Sequence, residues 1–379
     1  MFGNVFFNAK YEIYFDSDSV DINNIKRFNE VRNILKKEYY KDIDENVLLE
    51  GAIAGMANSL GDPYTVYLTK DQMKAFREKS DGSYVGIGVS VIEDKDGLLT
   101  VVEPFEGSPA LEAGVQKGDK IINVDGVDVT SIRDDDVIIG MIRGKEGTIC
   151  KITMLRPSEG RAIDFEIPRK RIKIANIKSE MLADNIGYIK IIMFDSEIAS
   201  YFQQHLYGLL KQGMKGLIID LRDNPGGSYD QVVKIADILL PEGLIVYTED
   251  RNNNRVEEKS DKLNLQMPIA VLINNNSASA SEILAGALKD HKKGVLVGTK
   301  TFGKGLVQAV LPLTGGAGIK VTVSRYFTPS GVCIQDVGIE PDVEVLLPKE
   351  YSNLPVSQVP RGEDTQLETA IQILKAKQQ

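Results

Sequence analysis

Apolar residues near the amino terminus recur at helical spacing. The pattern predicts helices over residues 25–40 and 45–60. Gln72 follows Thr69 by three positions, which is the spacing of a capping box and predicts the start of a third helix there. We therefore expect a helical region over residues 1–81.

The pattern changes at Gly82. Short strands separated by glycine turns continue to about residue 171. From residue 172 onward, buried-strand patterns alternate with helical ones, and the alternation predicts an α/β core with βαβ crossovers over 172–350. A C-terminal segment with a helix, residues 351–379, completes the chain. The predicted strands of the core are 185–191, 215–222 and 268–273, and its predicted helices lie near 196–212, near 228–239 and from 280 onward.

Composition and charge narrow the class of protein. A chain of 379 residues with 42% hydrophobic residues can form more than one sizeable core. Its net charge of −9, with no basic block to neutralise phosphates, argues against nucleic-acid binding. The two cysteines, Cys150 and Cys333, fall in different predicted domains and show no zinc-site spacing.

The stretch MFGNVFFNAKYEIYF does not predict a signal peptide, because Asn8 and Lys10 interrupt its apolar run. The chain also lacks the roughly 18 consecutive apolar residues that indicate a membrane-spanning helix.

Three serines follow the predicted strand 268–273 at every second position, namely Ser277, Ser279 and Ser281. Helical spacing begins at Ala280, so these serines lie at the head of a helix. The unpaired N–H groups and the positive end of the helix dipole at that place stabilise developing negative charge. The pattern therefore favours a nucleophilic serine there.

A nucleophilic serine needs a base, and the two histidines, His205 and His291, are explained by solvated or capping roles. Lys304 is the alternative base, since burial or cationic neighbours lower a lysine pKa from about 10.4. From composition alone, a lysine between Gly303 and Gly305 is more often an exposed turn residue.

The segment GTKTFGKG, residues 298–305, nearly matches a phosphate-binding loop. Its last position is Gly305, so the magnesium-binding hydroxyl is missing, and LVQAVLPL after it predicts a strand where a helix is needed. Nucleotide hydrolysis is therefore disfavoured.

Blocks along most of the chain carry a family resemblance. They are GDPYTVYL (61–68), DLRDNPGG (220–227), NNNSASASEILAGAL (274–288), GTKTFGKGLVQ (298–308), RYFTPSG (325–331), GIEPD (338–342) and DTQLETAIQIL (364–374). In this order they resemble the carboxyl-terminal processing peptidases, a family of Ser/Lys serine endopeptidases. The resemblance implies that Ser279 is the nucleophile, that Lys304 is the general base, and that Gln308 orients Lys304.

The same resemblance implies an oxyanion hole formed by the amide of Ala280 together with that of Gly226 or Gly227. Apart from the resemblance, the glycines of DNPGG equally describe an ordinary strand-to-helix turn. Asp220 and Arg222 are expected to be structural rather than catalytic.

Residues 82–171 resemble a PDZ domain of the kind joined to proteases. The resemblance is carried by GIG (86–88) and SPALEAGVQKGDKIINVDG (108–126). A PDZ domain adds a peptide C-terminus to a sheet edge while backbone amides hold its carboxylate. By position, those amides are expected to be Ile87, Gly88 and Val89.

The resemblance implies a serine endopeptidase without a metal or organic cofactor. Its PDZ domain is expected to bind substrate C-termini and to present the substrate or gate the dyad. The family further implies an extracytoplasmic location, a homodimer formed through the helical region and the C-terminal segment, and room for a regulatory adaptor protein. Two alternatives stay open: a non-catalytic or conditionally inactive PDZ scaffold, and an amidase or β-lactamase, since these also use Ser/Lys dyads.

Overall fold

The computed structural model describes residues 22–378 except 133 and 353. Within this range the chain forms two compact units. One comprises Glu78–Ala175, and the other joins the described residues up to Arg77 with those from Asn176 onward.

The N-terminal helical region is confirmed for the described residues from 22 onward; residues 1–21, which include the stretch MFGNVFFNAKYEIYF, lie outside the described residues. Thr69 N–H donates to Gln72 Oε1 (3.0 Å) and Gln72 N–H donates to Thr69 Oγ1 (3.3 Å), so the capping box forms as expected. Every residue of the first helix is at least partly exposed. The elements are α1 (Ile22–Glu38), α2 (Glu45–Asn58), β1 (Val66–Leu68) and α3 (Lys70–Ser80).

The unit Glu78–Ala175 is built from short antiparallel strands around its own apolar core. Its main sheet has the order β3-β4-β5-β7-β8, with β6 paired to β5, and β2 pairs separately with β9. The elements are β2 (Ser83–Gly86), β3 (Val89–Glu93), β4 (Leu99–Pro104), α4 (Pro109–Glu112), β5 (Lys120–Val124), β6 (Val127–Asp128), α5 (Asp135–Ile142), β7 (Ile149–Arg156), β8 (Arg161–Pro168) and β9 (Lys170–Lys173).

The other unit contains the predicted α/β core. Its central sheet has the order β10-β11-β12-β15-β16-β19, parallel except for the pair β10–β11. The elements are β10 (Ile177–Met181), β11 (Ile186–Ile191), α6 (Ile198–Lys211), β12 (Gly216–Asp220), α7 (Tyr229–Leu239), β13 (Gly243–Asp250), β14 (Arg255–Ser260), β15 (Ile269–Ile273), α8 (Ala280–Asp290), β16 (Gly294–Gly298), β17 (Leu306–Pro312), β18 (Gly318–Phe327), β19 (Val343–Glu344) and α9 (Thr365–Gln378).

Strands β12 and β15 are buried at every position because both faces of the sheet are covered. Leu217 and Ile219 belong to the core formed with α6, α7 and α8. Ile218, between them, packs instead with Leu367 and Leu374 of α9. The two faces explain why these strands read as continuous apolar runs in the sequence.

A second sheet, antiparallel throughout, was not predicted as a unit. Strand β18 pairs with β17 and also with β1 and β13, and β13 pairs with β14. Strand β17 is the stretch LVQAVLPL, so its prediction as a strand is confirmed.

The carboxyl ends of β12, β15 and β16 lie side by side because these strands are parallel neighbours. The chain leaves them through residues 221–228, 274–279 and 299–305 respectively. In α/β sheets this edge is where ligand sites form, and these three segments hold most of the chemistry predicted from the sequence.

None of the described helices is both long enough and apolar enough to span a membrane.

Candidate active site

The three serines after β15 have different surroundings. The Ser277 hydroxyl is buried and donates to the carbonyl of Leu221 (2.8 Å). The Ser281 hydroxyl is also buried and donates to the carbonyl of Asn224 (3.0 Å). Ser279 is half-buried. Ser277 and Ser281 therefore tie this segment to the turn after β12, and Ser279 is the serine that a substrate can reach.

Ser279 occupies the N-cap of α8 with φ +55° and ψ −114°. This conformation is uncommon for a residue with a side chain and costs on the order of 1–3 kcal/mol. It turns the chain sharply from β15 into α8, so that Ala280 becomes the first helical residue. The hydroxyl is thereby placed beside the unpaired amides of a helix that is buried along most of its length.

The buried carboxylate of Glu282 joins the serine turn to the lysine turn. Its Oε2 accepts from the backbone N–H groups of Ser279 (2.9 Å) and Lys304 (2.9 Å). Its Oε1 accepts from the hydroxyl of Thr301 (2.6 Å) and the N–H of Gly303 (2.7 Å). With four donors on one fully buried carboxylate, the backbones of Ser279 and Lys304 are held in fixed register.

The phenol of Tyr326, on β18, joins the same two residues from their carbonyl sides. Its hydroxyl lies between the carbonyl oxygens of Ser279 (3.1 Å) and Lys304 and donates to them. Burial, followed by the neighbouring charge of Glu282, raises the pKa of Tyr326 well above its usual value. The hydroxyl therefore keeps its proton and remains a donor.

The amine of Lys304 is partly buried and lies 4.5 Å from the centre of the Tyr64 ring. Burial lowers the pKa of Lys304, and the like charge of Lys320 lowers it further, against the opposing effects of Asp62 and Glu282. Among the described residues, no hydrogen bond joins this amine to the Ser279 hydroxyl. The structure thus brings the two backbones together and leaves the side-chain contact unmade.

Gln308 lies in β17 opposite Thr322 of β18. Its Nε2 atom is buried and makes no hydrogen bond with any residue that the structure describes. A buried amide with an open donor is uncommon and indicates a group with a further role.

The turn after β12 approaches the serine closely. A β-carbon at Gly226 would lie 2.8 Å from the β-carbon of Ser279, so only glycine fits there. The N–H of Gly226 already donates to Asn224 Oδ1 (2.9 Å). Gly227, at φ +139°, lies against Phe194 in an isolated bridge. Of the two glycines predicted from the sequence, Gly226 thus lies directly against the Ser279 segment, and Gly227 lies against Phe194.

Asp220 and Arg222 have the structural surroundings expected of them. The Arg222 guanidinium bonds to both carboxylate oxygens of Asp220 and of Asp364, and all three residues are buried. Burial alone would raise the pKa of Asp220, but the charge of Arg222 holds it below its usual value. The cluster fastens the segment before α9 to the end of β12.

The PDZ loop predicted to hold a carboxylate connects β2 to β3. The carbonyl of Ile87 accepts from Ala110 N–H (2.9 Å), and that of Gly88 accepts from Phe105 N–H (2.9 Å). Gly88 has φ +84°, and Val89 begins β3. The loop backbone is therefore fixed through its carbonyl oxygens.

Sequence reasoning missed Glu282, Tyr326 and Tyr64. Ser279 and Glu282 have the S-x-x-E spacing of a capping box, which was available as a signal for Glu282. No comparable local pattern marks the two tyrosines, because their contacts to Lys304 come from distant parts of the chain.

Comparisons with known proteins identify three family regions along the chain. Family models match residues 8–72 (activating protease CtpB N-terminal domain), 74–155 (PDZ domain) and 185–345 (peptidase family S41). The expected PDZ domain and protease fold are thereby confirmed.

Relatives share most of the chain. The carboxy-terminal processing protease CtpA of Bacillus subtilis (strain 168) is 38% identical over 331 residues, which cover 87% of this chain and 70% of that protein. The carboxy-terminal-processing protease of Bartonella bacilliformis is 36% identical over 342 residues, covering 88% and 78%. Among solved structures, a photosystem II D1 C-terminal processing protease is similar with a TM-score of 0.51 and 32% identity, covering 86% of this chain and 89% of that one. The chain therefore belongs to the carboxy-terminal processing serine proteases of peptidase family S41.

Proposed function

We propose that this chain is a serine endopeptidase in which Ser279 is the nucleophile and Lys304 the general base. The observation that carries the proposal is the double connection between these residues: Glu282 binds both of their amides and Tyr326 binds both of their carbonyls. Such a connection holds the backbones of Ser279 and Lys304 at a fixed separation, as a nucleophile and its base require.

Lysine acts as a base when its amine is neutral near the working pH. The lowered pKa of Lys304 supports this role. In the proposed mechanism, rotation about the side-chain bonds of Lys304 brings its amine to the Ser279 hydroxyl while the Tyr64 ring still covers one side of it, and Gln308 offers a buried amide beside it.

The amides of Ala280 and Gly227 are the oxyanion donors that we assign. Ala280 opens α8, where N–H groups lack helical partners. Between Gly226 and Gly227, which the sequence left as alternatives, we favour Gly227 because the N–H of Gly226 donates to Asn224. Loss of one such donor typically lowers the rate by about 10²–10³.

In the proposed reaction, neutral Lys304 takes the proton of the Ser279 hydroxyl as Oγ attacks the scissile carbonyl. The oxyanion binds the two amides, and Lys304 returns the proton to the leaving amine as the peptide bond breaks. A water molecule then attacks the acyl-enzyme and gives its proton to Lys304. Lys304 passes that proton to Ser279 Oγ as the ester bond breaks, which releases the new C-terminus and restores the serine hydroxyl and the neutral amine.

The PDZ domain would bind a substrate C-terminus through the amides of Ile87, Gly88 and Val89. The fixed carbonyls of Ile87 and Gly88 support this role, because they hold the backbone of this loop in one conformation. We propose that this binding presents the substrate or gates the dyad, at an extracytoplasmic location and with scope for an adaptor protein.

We propose a homodimer formed through α1 and α2, whose apolar side chains are largely exposed. The inner face of α9, in contrast, is already buried against the central sheet. Light scattering of the wild type and of Phe28→Glu tests this contact, and a wild-type monomer would contradict it. The exposed apolar residues include Ile22, Ile25, Phe28, Val31, Ile34, Val47, Leu49 and Met56.

The deciding experiment is cleavage of an unfolded protein such as casein, with products identified by mass spectrometry. Ser279→Ala and Lys304→Ala are each expected to lose roughly 10⁴-fold or more in rate near neutral pH. Ser277→Ala is the matched control, and it should keep most of its activity because the Ser277 hydroxyl bonds to the Leu221 carbonyl and to Asn274 rather than to a proposed reacting group.

Equal losses in Ser277→Ala and Ser279→Ala would contradict the assignment of the nucleophile. Substantial activity of Lys304→Ala near neutral pH would contradict a lysine base. If even the wild type is inactive, addition of peptides with free or amidated C-termini separates a gated protease from the alternative, a PDZ scaffold. Activation by the free C-terminus alone would indicate gating.

A further inference from the structure

We propose that Asp62, Tyr64 and Thr65 form a platform that positions the Lys304 amine, and that the Tyr64 ring shields this amine from water so that it can serve as a neutral base. The inference rests on the proposed role of Lys304 and adds positioning residues from a segment that the mechanism above does not use.

The geometry places the Tyr64 ring against the amine. Lys304 Nζ lies 4.5 Å from the ring centre, within the range of a cation–π contact. The ring itself is half-buried. One side of the amine therefore faces an aromatic surface rather than solvent.

Hydrogen bonds hold the residues before and after Tyr64 in the chain. Asp62 accepts from the N–H of Tyr64 (2.9 Å) and from the hydroxyl of Thr65 (2.6 Å). Thr65, which is buried, in turn accepts from Thr322 N–H (3.0 Å) on β18. Strand β1 then pairs with β18 directly after the platform. These bonds fix the backbone that carries the Tyr64 ring beside Lys304.

Four charged or titratable groups face the Lys304 amine. Asp62 and Tyr64 come from the platform, Glu282 from α8 and Lys320 from β18. Asp62 and Glu282 favour the ammonium form, whereas Lys320 disfavours it. Lys320 is held near the amine by the pairing of β18 with β1 and β17.

The aromatic ring has two opposing effects on the amine. Its negative face attracts the ammonium ion, but its bulk excludes the water that would solvate that ion. Burial is the first cause of the lowered pKa of Lys304 and outweighs the attractions. Because the Tyr64 ring lies against the amine, it supplies part of this burial. In this proposal, shielding is the larger of the two effects of the ring, so removal of the ring should make Lys304 harder to deprotonate.

The test is a direct titration of Lys304 in the full chain, carried in a Ser279→Ala background that cannot digest itself. Lysine labelled with ¹³C at Cε is followed by NMR, and Lys304→Arg identifies the resonance. Tyr64→Ala should raise the titration midpoint by about one pH unit, which is a tenfold change in the neutral fraction. Tyr64→Phe keeps the ring and should keep the wild-type midpoint.

Two further variants separate shielding from general damage to the fold. Tyr64→Leu still excludes water but lacks the aromatic face, so its midpoint should not rise. Asp62→Asn removes an attractive charge while its Oδ1 can still accept from Tyr64 N–H, so its midpoint should fall. The opposite directions for Tyr64→Ala and Asp62→Asn are not expected from a loosened structure. Thermal unfolding of each variant verifies that it is folded.

An unchanged midpoint in Tyr64→Ala would overturn the proposal, as would an equal rise in Tyr64→Phe or Tyr64→Leu. In an active protein, Tyr64→Ala should also lower kcat/KM about tenfold at pH 7, with recovery at higher pH, and leave KM nearly unchanged. Because the NMR titration needs no activity, a wild type that stays inactive even with peptides bearing free C-termini would refute the proposed function without deciding the role of Tyr64.

Discussion

Gly88 and Ser279 both have positive φ, but the two turns are stabilised in different ways. Gly88, at φ +84°, has no side chain to strain, and a β-carbon there would lie 2.4 Å from that of Ser108. Ser279, at φ +55°, carries its side chain into a region that residues with a β-carbon rarely adopt. The PDZ loop thus uses a residue that fits its conformation, whereas the serine turn holds a residue that does not.

The difference shows that the fold uses stabilising hydrogen bonds to hold Ser279 in a strained backbone conformation. The strain at Ser279 is on the order of 1–3 kcal/mol. Glu282 and Tyr326 bind the backbone of Ser279 on both sides and oppose its relaxation. A hydrogen bond to a charged group contributes about 1.5–3 kcal/mol, enough to offset a strain of this size. Each prediction below tests one part of this contrast.

The largest effect is expected at Glu282. Glu282→Ala leaves four buried donors without their acceptor and should destabilise the protein by on the order of 5 kcal/mol, at about 1–3 kcal/mol for each unpaired group. Cleavage should fall at least about 10³-fold because both residues of the proposed dyad lose their support. Urea unfolding and casein cleavage measure the two effects.

Glu282→Gln keeps the shape and is the variant to use if Glu282→Ala fails to fold. The NH₂ group of glutamine replaces a carboxylate oxygen that accepts hydrogen bonds, so a donor would face other donors. About 2 kcal/mol of stability should therefore be lost. Glu363→Gln, at an exposed position, is the control and should change neither quantity. Full activity of Glu282→Gln with normal stability would show that the carboxylate does not support the serine turn.

Much of the fold was predictable because its signals are local. Helices such as α6 and α7, and buried strands such as β12 and β15, follow from apolar periodicity over a few residues. The antiparallel sheet of β1, β13, β14, β17 and β18 was not predicted as a unit, since its pairings join distant segments.

The candidate site shows the same division between features with local signals in the sequence and features that depend on distant segments. Ser279 and Lys304 were recognised from contiguous motifs. Tyr326 and Tyr64 were missed because their contacts to Lys304 depend on how β18 and the α2–β1 connection fold back onto it. The strain at Ser279 is also invisible in the sequence, since the S-x-x-E spacing marks an N-cap there but does not show that its φ is positive. Sequence patterns therefore suggest candidates for the reacting groups, whereas the contacts that hold those groups are seen only in the fold.

A smaller effect is expected at Gly88. Gly88→Ala adds a β-carbon at positive φ and a collision with Ser108, so the PDZ unit should lose about 2–3 kcal/mol. Binding of a peptide with a free C-terminus, measured by fluorescence anisotropy, should weaken at least about tenfold. Gly107→Ala also has positive φ but meets no neighbour, so it should lose only about 1 kcal/mol. Equal losses in the two variants would mean that the contact with Ser108 is unimportant.

Tyr326→Phe should lower stability by about 1.5 kcal/mol, because the carbonyls of Ser279 and Lys304 lose a buried donor. It should also lower kcat about tenfold with little change in KM. Tyr188→Phe is a matched control, since its hydroxyl donates to buried Asp220 (2.7 Å) in the same unit. We expect a similar loss of stability there without a fall in kcat. An equal fall in kcat for both variants would reduce the role of Tyr326 to stability alone.

The smallest effect isolates the strain at Ser279. Ser279→Gly and Ser279→Ala both remove the hydroxyl, but glycine tolerates φ +55° and alanine does not. The glycine variant should be more stable by about 1 kcal/mol, the strain relieved less the roughly 0.5–1 kcal/mol that glycine loses in chain entropy. At Ser277, where φ is not positive, the order should reverse and alanine should be more stable than glycine. Thermal unfolding of the four variants gives both differences. If alanine were more stable than glycine at both sites, Ser279 would not be strained, and the contrast with Gly88 would disappear.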